Sequence, residues 1–230
     1  SQVQSDPALA MPIQSLAGLP APLRSFDGSP IYSDEAVLGR WLTQRAANPA
    51  RRVASYYNSI SLHDGNRLAT GNTPSNVDES YRLRAKSLLD QLDRFFDLAE
   101  KSGRRMVVVL VSEHGAALRG GKMQFSGLRD IPTPAITHVP AAIKVIGGGF
   151  TPMEPIKVAH PTSYLALSHV LSNMLKDSPF GGKSDLRPYL VNLPTTQPQV
   201  AETDNFVLLN TEQQAWMRPA KGVAWQAFQP

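Results

Sequence analysis

The chain has 230 residues, 42% hydrophobic, 18% charged and 7% aromatic, with no cysteine and a formal net charge of +4. This composition can fill a sizeable core and excludes collagen-like, coiled-coil and wholly disordered chains; the lack of Cys excludes disulfides, thiolate metal sites and a Cys nucleophile. The 23 basic residues are dispersed among 19 acidic ones, which argues against a nucleic-acid groove, and the longest apolar run, Met106 to Val111, is far short of the ~20 residues of a membrane span.

The opening stretch, residues 1–30, carries Pro7, Pro12, Pro20, Pro22 and Pro30 with little periodicity, and reads as an extended lead-in. It begins at Ser1 without a charged and then apolar leader, as expected of a soluble piece of something longer. Ser33 followed by Asp34 and Glu35 predicts a helix start. Val37, Leu38, Trp41 and Leu42 continue at helical spacing until Asn48-Pro49. Residues 53–62, rich in Val, Tyr, Ile and Ser, predict a strand that Asp64-Gly65-Asn66 stops. After a turn-rich stretch, residues 77–101 are strongly helical, with an apolar stripe of Tyr81, Leu88, Leu89, Leu92, Phe95, Phe96 and Leu98, and Gly103 as the stop. Met106 to Val111 predicts a strand buried on both faces of a parallel sheet. Strand, long helix and buried strand together read as a βαβ unit.

Residues 115–140 form a long polar loop with Gly120, Gly121, Gly127, Pro132 and Pro134, the kind of loop that often carries function. Residues 142–146 predict a further strand ended by Gly147-Gly148-Gly149, and residues 161–176 an amphipathic helix. Residues 177–198 read as loop. Residues 205–210 and 223–228 read as a small closing β-hairpin, with Trp216 and Trp225 as packing residues. No internal repeat is present.

The chemistry-bearing residues follow two of these strands. Ser112-Glu113-His114-Gly115 follows the Met106–Val111 strand, and His63-Asp64-Gly65 follows the strand over residues 53–62. Ligands in open α/β sheets bind outside the carboxyl ends of the strands, and two parallel strands would bring both histidines to one rim. An adjacent carboxylate and imidazole suit Zn²⁺ or Mn²⁺, with Gly115 allowing a tight turn around an ion. The plainer reading has Glu113 capping a helix near Gly115 and His114 satisfied in a loop.

Several segments resemble one family in order and spacing: Tyr57-Asn58, Leu62-His63-Asp64-Gly65-Asn66, Glu113-His114-Gly115-Ala116-Ala117-Leu118-Arg119-Gly120, Gly127-Leu128-Arg129-Asp130-Ile131-Pro132 and Ile136-Thr137-His138-Val139-Pro140. They are similar to the C-terminal catalytic domain of the BcsG family of cellulose phosphoethanolamine transferases. The resemblance runs from Phe26-Asp27-Gly28-Ser29-Pro30 to Trp225. It implies an alkaline-phosphatase-like fold, a doubly wound, mostly parallel sheet incomplete at its N-terminal side, with residues 1–30 a lead-in and 31–230 the C-terminal portion of one α/β catalytic domain. It implies Zn²⁺ as cofactor, with Glu113 and His114 as paired zinc ligands and His63 as the histidine that contacts the transferred phosphate group. Zinc in such a site polarises phosphoryl oxygens and lowers the pKa of a coordinated hydroxyl, and an imidazole can donate to phosphate or protonate a departing alkoxide.

The same resemblance implies a phosphatidylethanolamine donor, a cellulose acceptor, a cellulose synthase complex as partner, no nucleic acid, and a place on the periplasmic face of the bacterial inner membrane through transmembrane helices outside this chain. The family's nucleophilic hydroxyl and a Cys ligand precede the matching region. Ser5, Ser15 and Ser25 stand in no strand-to-helix turn that would activate a nucleophile, so the chain alone is expected to be inactive and to bind zinc weakly. His138 reads as a loop anchor, His160 and His169 as structural or surface residues. Arg119 and Lys122 are candidates to hold phosphate from the long loop, solvated loop charges being the plainer account. Other readings are a phosphodiesterase or sulfatase of the same superfamily, because fold does not fix function, and a scaffold module without metal.

Overall fold

The computed structural model describes residues 15–71, 74, 76–116, 118–119, 131, 133–151, 154–196, 199–211, 214–222 and 224–228, and the chain divides after Ser102 into two units. In the first unit, β1 (Leu23–Arg24), β2 (Pro30–Ile31) and β3 (Arg67–Leu68) form a small antiparallel sheet in the order β2-β1-β3. Residues 15–30 of the lead-in supply β1 and the first residue of β2, while residues 1–14 lie outside the described residues.

Helix α1 (Asp34–Ala47) begins where the cap chemistry puts it. The Ser33 hydroxyl accepts from Ala36 N–H at 3.3 Å and donates to Gln91 Oε1 at 2.7 Å. Gln91 belongs to α2 (Val77–Lys101), whose own cap, Asn76, accepts from the N–H groups of Asp78 and Glu79. Gly103, at φ +67°, follows that helix. The face of α2 that is buried runs through Arg84, Gln91, Phe95 and Ala99, whereas Leu89 and Leu98 of the expected stripe are exposed. Two polar side chains therefore occupy core positions.

The strand expected over residues 53–62 is absent; only an isolated bridge at Asn58 interrupts irregular backbone. The physical reason is a competing set of side-chain bonds. Tyr57 Oη donates to Asp34 Oδ1 at 2.6 Å, and Ser61 Oγ donates to Asp34 Oδ2, so the segment is tied to the start of α1 rather than to a strand ladder.

In the second unit, β4 (Met106–Val111) pairs antiparallel with β5 (Ala141–Ile146), Met106 facing Ile146 and Val111 facing Ala141. Every strand pairing among the described residues is antiparallel, so the expected mostly parallel, doubly wound sheet is not what they form. A parallel pair needs a long crossover, usually helical. The connection from β4 to β5 contains, among its described residues, only the single-turn α3 (Pro134–Thr137). The Val-rich β4 is accordingly half-buried rather than covered on both faces, and Leu110 is exposed. Gly147 ends β5 because a Cβ there would lie 2.2 Å from the Arg104 carbonyl oxygen.

Helix α4 (Tyr164–Lys176), capped by Ser163, buries Ala166, Val170 and Met174. Val170 and Met174 form a core with Val145 of β5 and with Tyr189 of a 3₁₀ turn (Arg187–Leu190) inside the expected loop. The closing hairpin is larger than expected. Strands β6 (Gln199–Glu202), β7 (Phe206–Asn210), β8 (Ala215–Pro219) and β9 (Gln226–Phe228) make a four-stranded antiparallel meander. Its core is Leu208, Met217 and Phe228 with Ile131. Trp225 is exposed with the Arg218 guanidinium 5.1 Å from its ring centre, so it is a surface stack rather than a core residue.

Candidate functional site

In the first unit His63 sits on an exposed turn. Its N–H donates to Ile60 O at 3.0 Å and its carbonyl accepts from Asn66 N–H at 3.3 Å. Buried Asn66 closes the turn by donating from Nδ2 to Ile60 O at 2.5 Å. From α2, Arg84 Nη1 donates to the carbonyls of Ser61 at 2.9 Å and His63 at 3.2 Å. Arg84 is 3% exposed and its Nε has no hydrogen-bond partner among the described residues. Burial pushes the Arg84 guanidinium below its usual range, against the opposing charges of Asp64 and Tyr81. The His63 ring is oriented locally: Nδ1 lies 2.9 Å from the Asp64 carbonyl oxygen. A carbonyl only accepts, so Nδ1 carries a proton and Nε2 is the basic nitrogen of the neutral ring.

In the second unit Glu113 and His114 follow β4 on a bend, Glu113 exposed and His114 half-buried. His114 repeats the His63 arrangement, with Nδ1 at 2.8 Å from its neighbour's carbonyl, Gly115 O. An imidazole that donates from Nδ1 to a carbonyl presents Nε2 as the metal-ligating nitrogen. Gly115 is pinned: its N–H donates to Ile136 O at 2.7 Å, and a Cβ on it would lie 2.0 Å from Ala135 O. Close approach to α3, not a turn of positive φ, is why glycine stands there. Gly115→Ala should therefore cost about 1–3 kcal/mol through overpacking against backbone, read as a lower urea midpoint at unchanged slope; an unchanged midpoint would show that α3 yields freely.

The donor set fits half a zinc site: one carboxylate and one oriented imidazole, where a closed site uses four ligands. Among the described residues no group of three or more His, Asp or Glu side chains is placed to hold a metal. His138 ends α3, its backbone N–H donating to Pro134 O, and the exposed His169 has Nε2 2.8 Å from Val191 O. The Ser15 hydroxyl accepts from Ala17 N–H and that of Ser25 donates to Asp27, which are local turn roles. Arg119 is exposed; Ala117, Gly120, Gly121, Lys122, Gly127, Arg129 and Pro132 of the long loop, and Val223 and Ser5, lie outside the described residues. The loop's described end is held by buried Ile131 and Ile136. Arg84, Asp34 and Gln91 were not anticipated as site supports; their one signal is that Arg84 and Gln91 stand on the helical line that leads to Phe95.

The chain is a mixed α/β protein in which each unit carries one carbonyl-oriented histidine, that of the second unit beside a carboxylate. The chain belongs to the family of the cellulose biosynthesis protein BcsG C-terminal domain, whose sequence pattern matches residues 1–225. It is 43% identical over 199 residues, 85% of its length, to the cellulose biosynthesis protein BcsG of Salmonella typhimurium. It is 38% identical over 220 residues, 94% of its length, to that of Escherichia coli. The matched regions are 34% and 38% of those relatives, so the chain spans a little over a third of their length. These relatives place the chain in a cellulose biosynthesis family. No helix among the described residues is long and apolar enough to cross a membrane.

Proposed function

We propose that this domain serves a zinc-dependent transfer of phosphoethanolamine from a phospholipid to glucose hydroxyls of cellulose, as part of a longer protein at the periplasmic face of the inner membrane that works with the cellulose synthase complex. In that longer protein the strands described here join a larger, doubly wound sheet. The observation that carries the reading is the Glu113–His114 pair at the end of β4, with the His114 tautomer set by Gly115 O.

Glu113 and His114 would hold the zinc. When bound, that ion neutralises charge on phosphoryl oxygens and favours the ionised form of a coordinated hydroxyl. The transfer breaks the P–O bond to diacylglycerol and makes one to a glucose oxygen, while the glucose hydroxyl proton balances the departing alkoxide. His63 is suited to that proton. Its Nδ1–H is held by Asp64 O, so Nε2 of the neutral ring is the nitrogen that would take up the glucose hydroxyl proton and, once protonated, donate it to a phosphate oxygen or to the leaving oxygen. Arg84 keeps that turn in place through two carbonyls. Arg119 would add charge from the loop.

The test is a full-length BcsG-family protein carrying this domain, in phosphatidylethanolamine vesicles with a β-glucan acceptor and mass spectrometry of the glucan. The expected result is phosphoethanolamine ester on glucan and stoichiometric zinc in the protein. Faster hydrolysis of a nitrophenyl phosphodiester than transfer would point instead to a phosphodiesterase, and a zinc-free protein without transfer to a scaffold.

A further inference from the structure

The three-stranded sheet of the first unit contains an arrangement that the folding of this chain does not call for. Its register sets Leu23 between Ile31 and Leu68, and Arg24 between Pro30 and Arg67. Side chains in successive rows point to opposite faces. Leu23 and Ile31 are 5% and 1% exposed, so the first row faces the core; Arg24 is half-buried and Arg67 exposed in the second row. Two guanidinium side chains thus start from directly opposed positions, where Cβ atoms stand about 4.5–5.5 Å apart and like charges destabilise the pair. Among the described residues neither has an ion pair or a side-chain hydrogen bond.

The location matters as much as the charge. Arg67 follows Asn66, the residue that closes the His63 turn. Arg24 leads into the turn between β1 and β2, where Asp27 is exposed. The Ser25 hydroxyl and the Ser29 N–H, both donating to Asp27, hold its carboxyl at about 2, so it is ionised at neutral pH. Asp64 lies on the His63 turn itself. Two cations side by side, with a carboxylate on each flanking turn, complement a group that has a phosphate at one end and an ammonium at the other.

We infer that Arg24 and Arg67 form a phosphate-ester site, and that the ester they take is the phosphoethanolamine headgroup of the donor, its phosphodiester between the guanidiniums and its ammonium toward Asp27 and Asp64. The assignment to the donor rests on the proposed function; the phosphate site itself does not. Guanidinium forks match phosphate oxygens bidentately, and an anion between them removes the like-charge penalty. Affinity and stability are therefore linked: the anion binds the folded sheet and not the unfolded chain.

The experiment uses the chain as it is. Thermal melts are compared in sodium phosphate and in sodium chloride at equal ionic strength, for the parent and for Arg24→Gln and Arg67→Gln. In chloride each variant should melt at or above the parent temperature, since repulsion is removed. In phosphate the parent should rise and neither variant should. A parent that responds equally to both salts, or variants that keep the phosphate increment, would overturn the site. The same melts with dihexanoylphosphatidylethanolamine below its micelle concentration test the source. A rise that Arg24→Gln and Arg67→Gln abolish supports the headgroup, whereas a response to inorganic phosphate alone overturns the donor assignment and leaves a free-phosphate site. In the full-length protein Arg67→Gln should raise the KM for the lipid about tenfold with kcat largely kept. Absence of transfer from the parent itself would count against the proposed function rather than against this pair.

Discussion

Asp34→Ala should destabilise the chain by about 3 kcal/mol or more. Asp34 is 1% exposed, at the first position of α1, and its two carboxyl oxygens accept separately from Tyr57 Oη and Ser61 Oγ. Hydrogen bonds to a charged group contribute roughly 1.5–3 kcal/mol each, and the hydroxyls left behind in the interior would lose their acceptor. The Ser61 carbonyl is in turn bonded by Arg84, so the damage reaches the His63 turn. Asp34→Asn should cost less, because it keeps one acceptor and sets an N–H₂ group against the other hydroxyl. Urea unfolding at neutral pH measures both. An Asp34→Ala midpoint within 1 kcal/mol of the parent would mean that residues 57–61 are held by something else.

The second large effect concerns the full-length protein. Glu113→Ala and His114→Ala are each expected to remove zinc and transfer together, because a site with one donor fewer loses both affinity and geometry. His63→Ala should behave differently, keeping the zinc and lowering the transfer rate by about 10²–10⁴-fold, the range for loss of a positioned proton donor. Metal content by mass spectrometry, measured beside the rate, separates the roles. Zinc lost from the His63 variant would make His63 a ligand; zinc retained in the His114 variant would remove His114 from the metal site.

What the sequence made legible is what is decided locally. Ser33 with its following acids located the start of α1, Gly103 the end of α2, and the Val run the whole of β4. Glu113-His114 was legible for the same reason, since its place after β4 needs only the strand. The segment over residues 53–62 was misread because its fate is settled at a distance: Tyr57 and Ser61 bond a carboxylate more than twenty positions away. The parallel pairing expected between the 53–62 segment and β4 failed because a Val-rich run has the same appearance in a parallel and an antiparallel sheet, and among the described residues β4 is paired with β5, antiparallel. Arg84 was invisible since a buried guanidinium on an amphipathic helix reads as surface. Trp225, a packing residue by its type, packs against the Arg218 guanidinium on the surface.

The measurement that tests the account most directly is anomalous scattering at the zinc edge from crystals of the full-length protein's soluble portion. The account predicts one peak about 2.0–2.2 Å from His114 Nε2 and from a Glu113 carboxylate oxygen. A map with no peak at Glu113–His114 would contradict it.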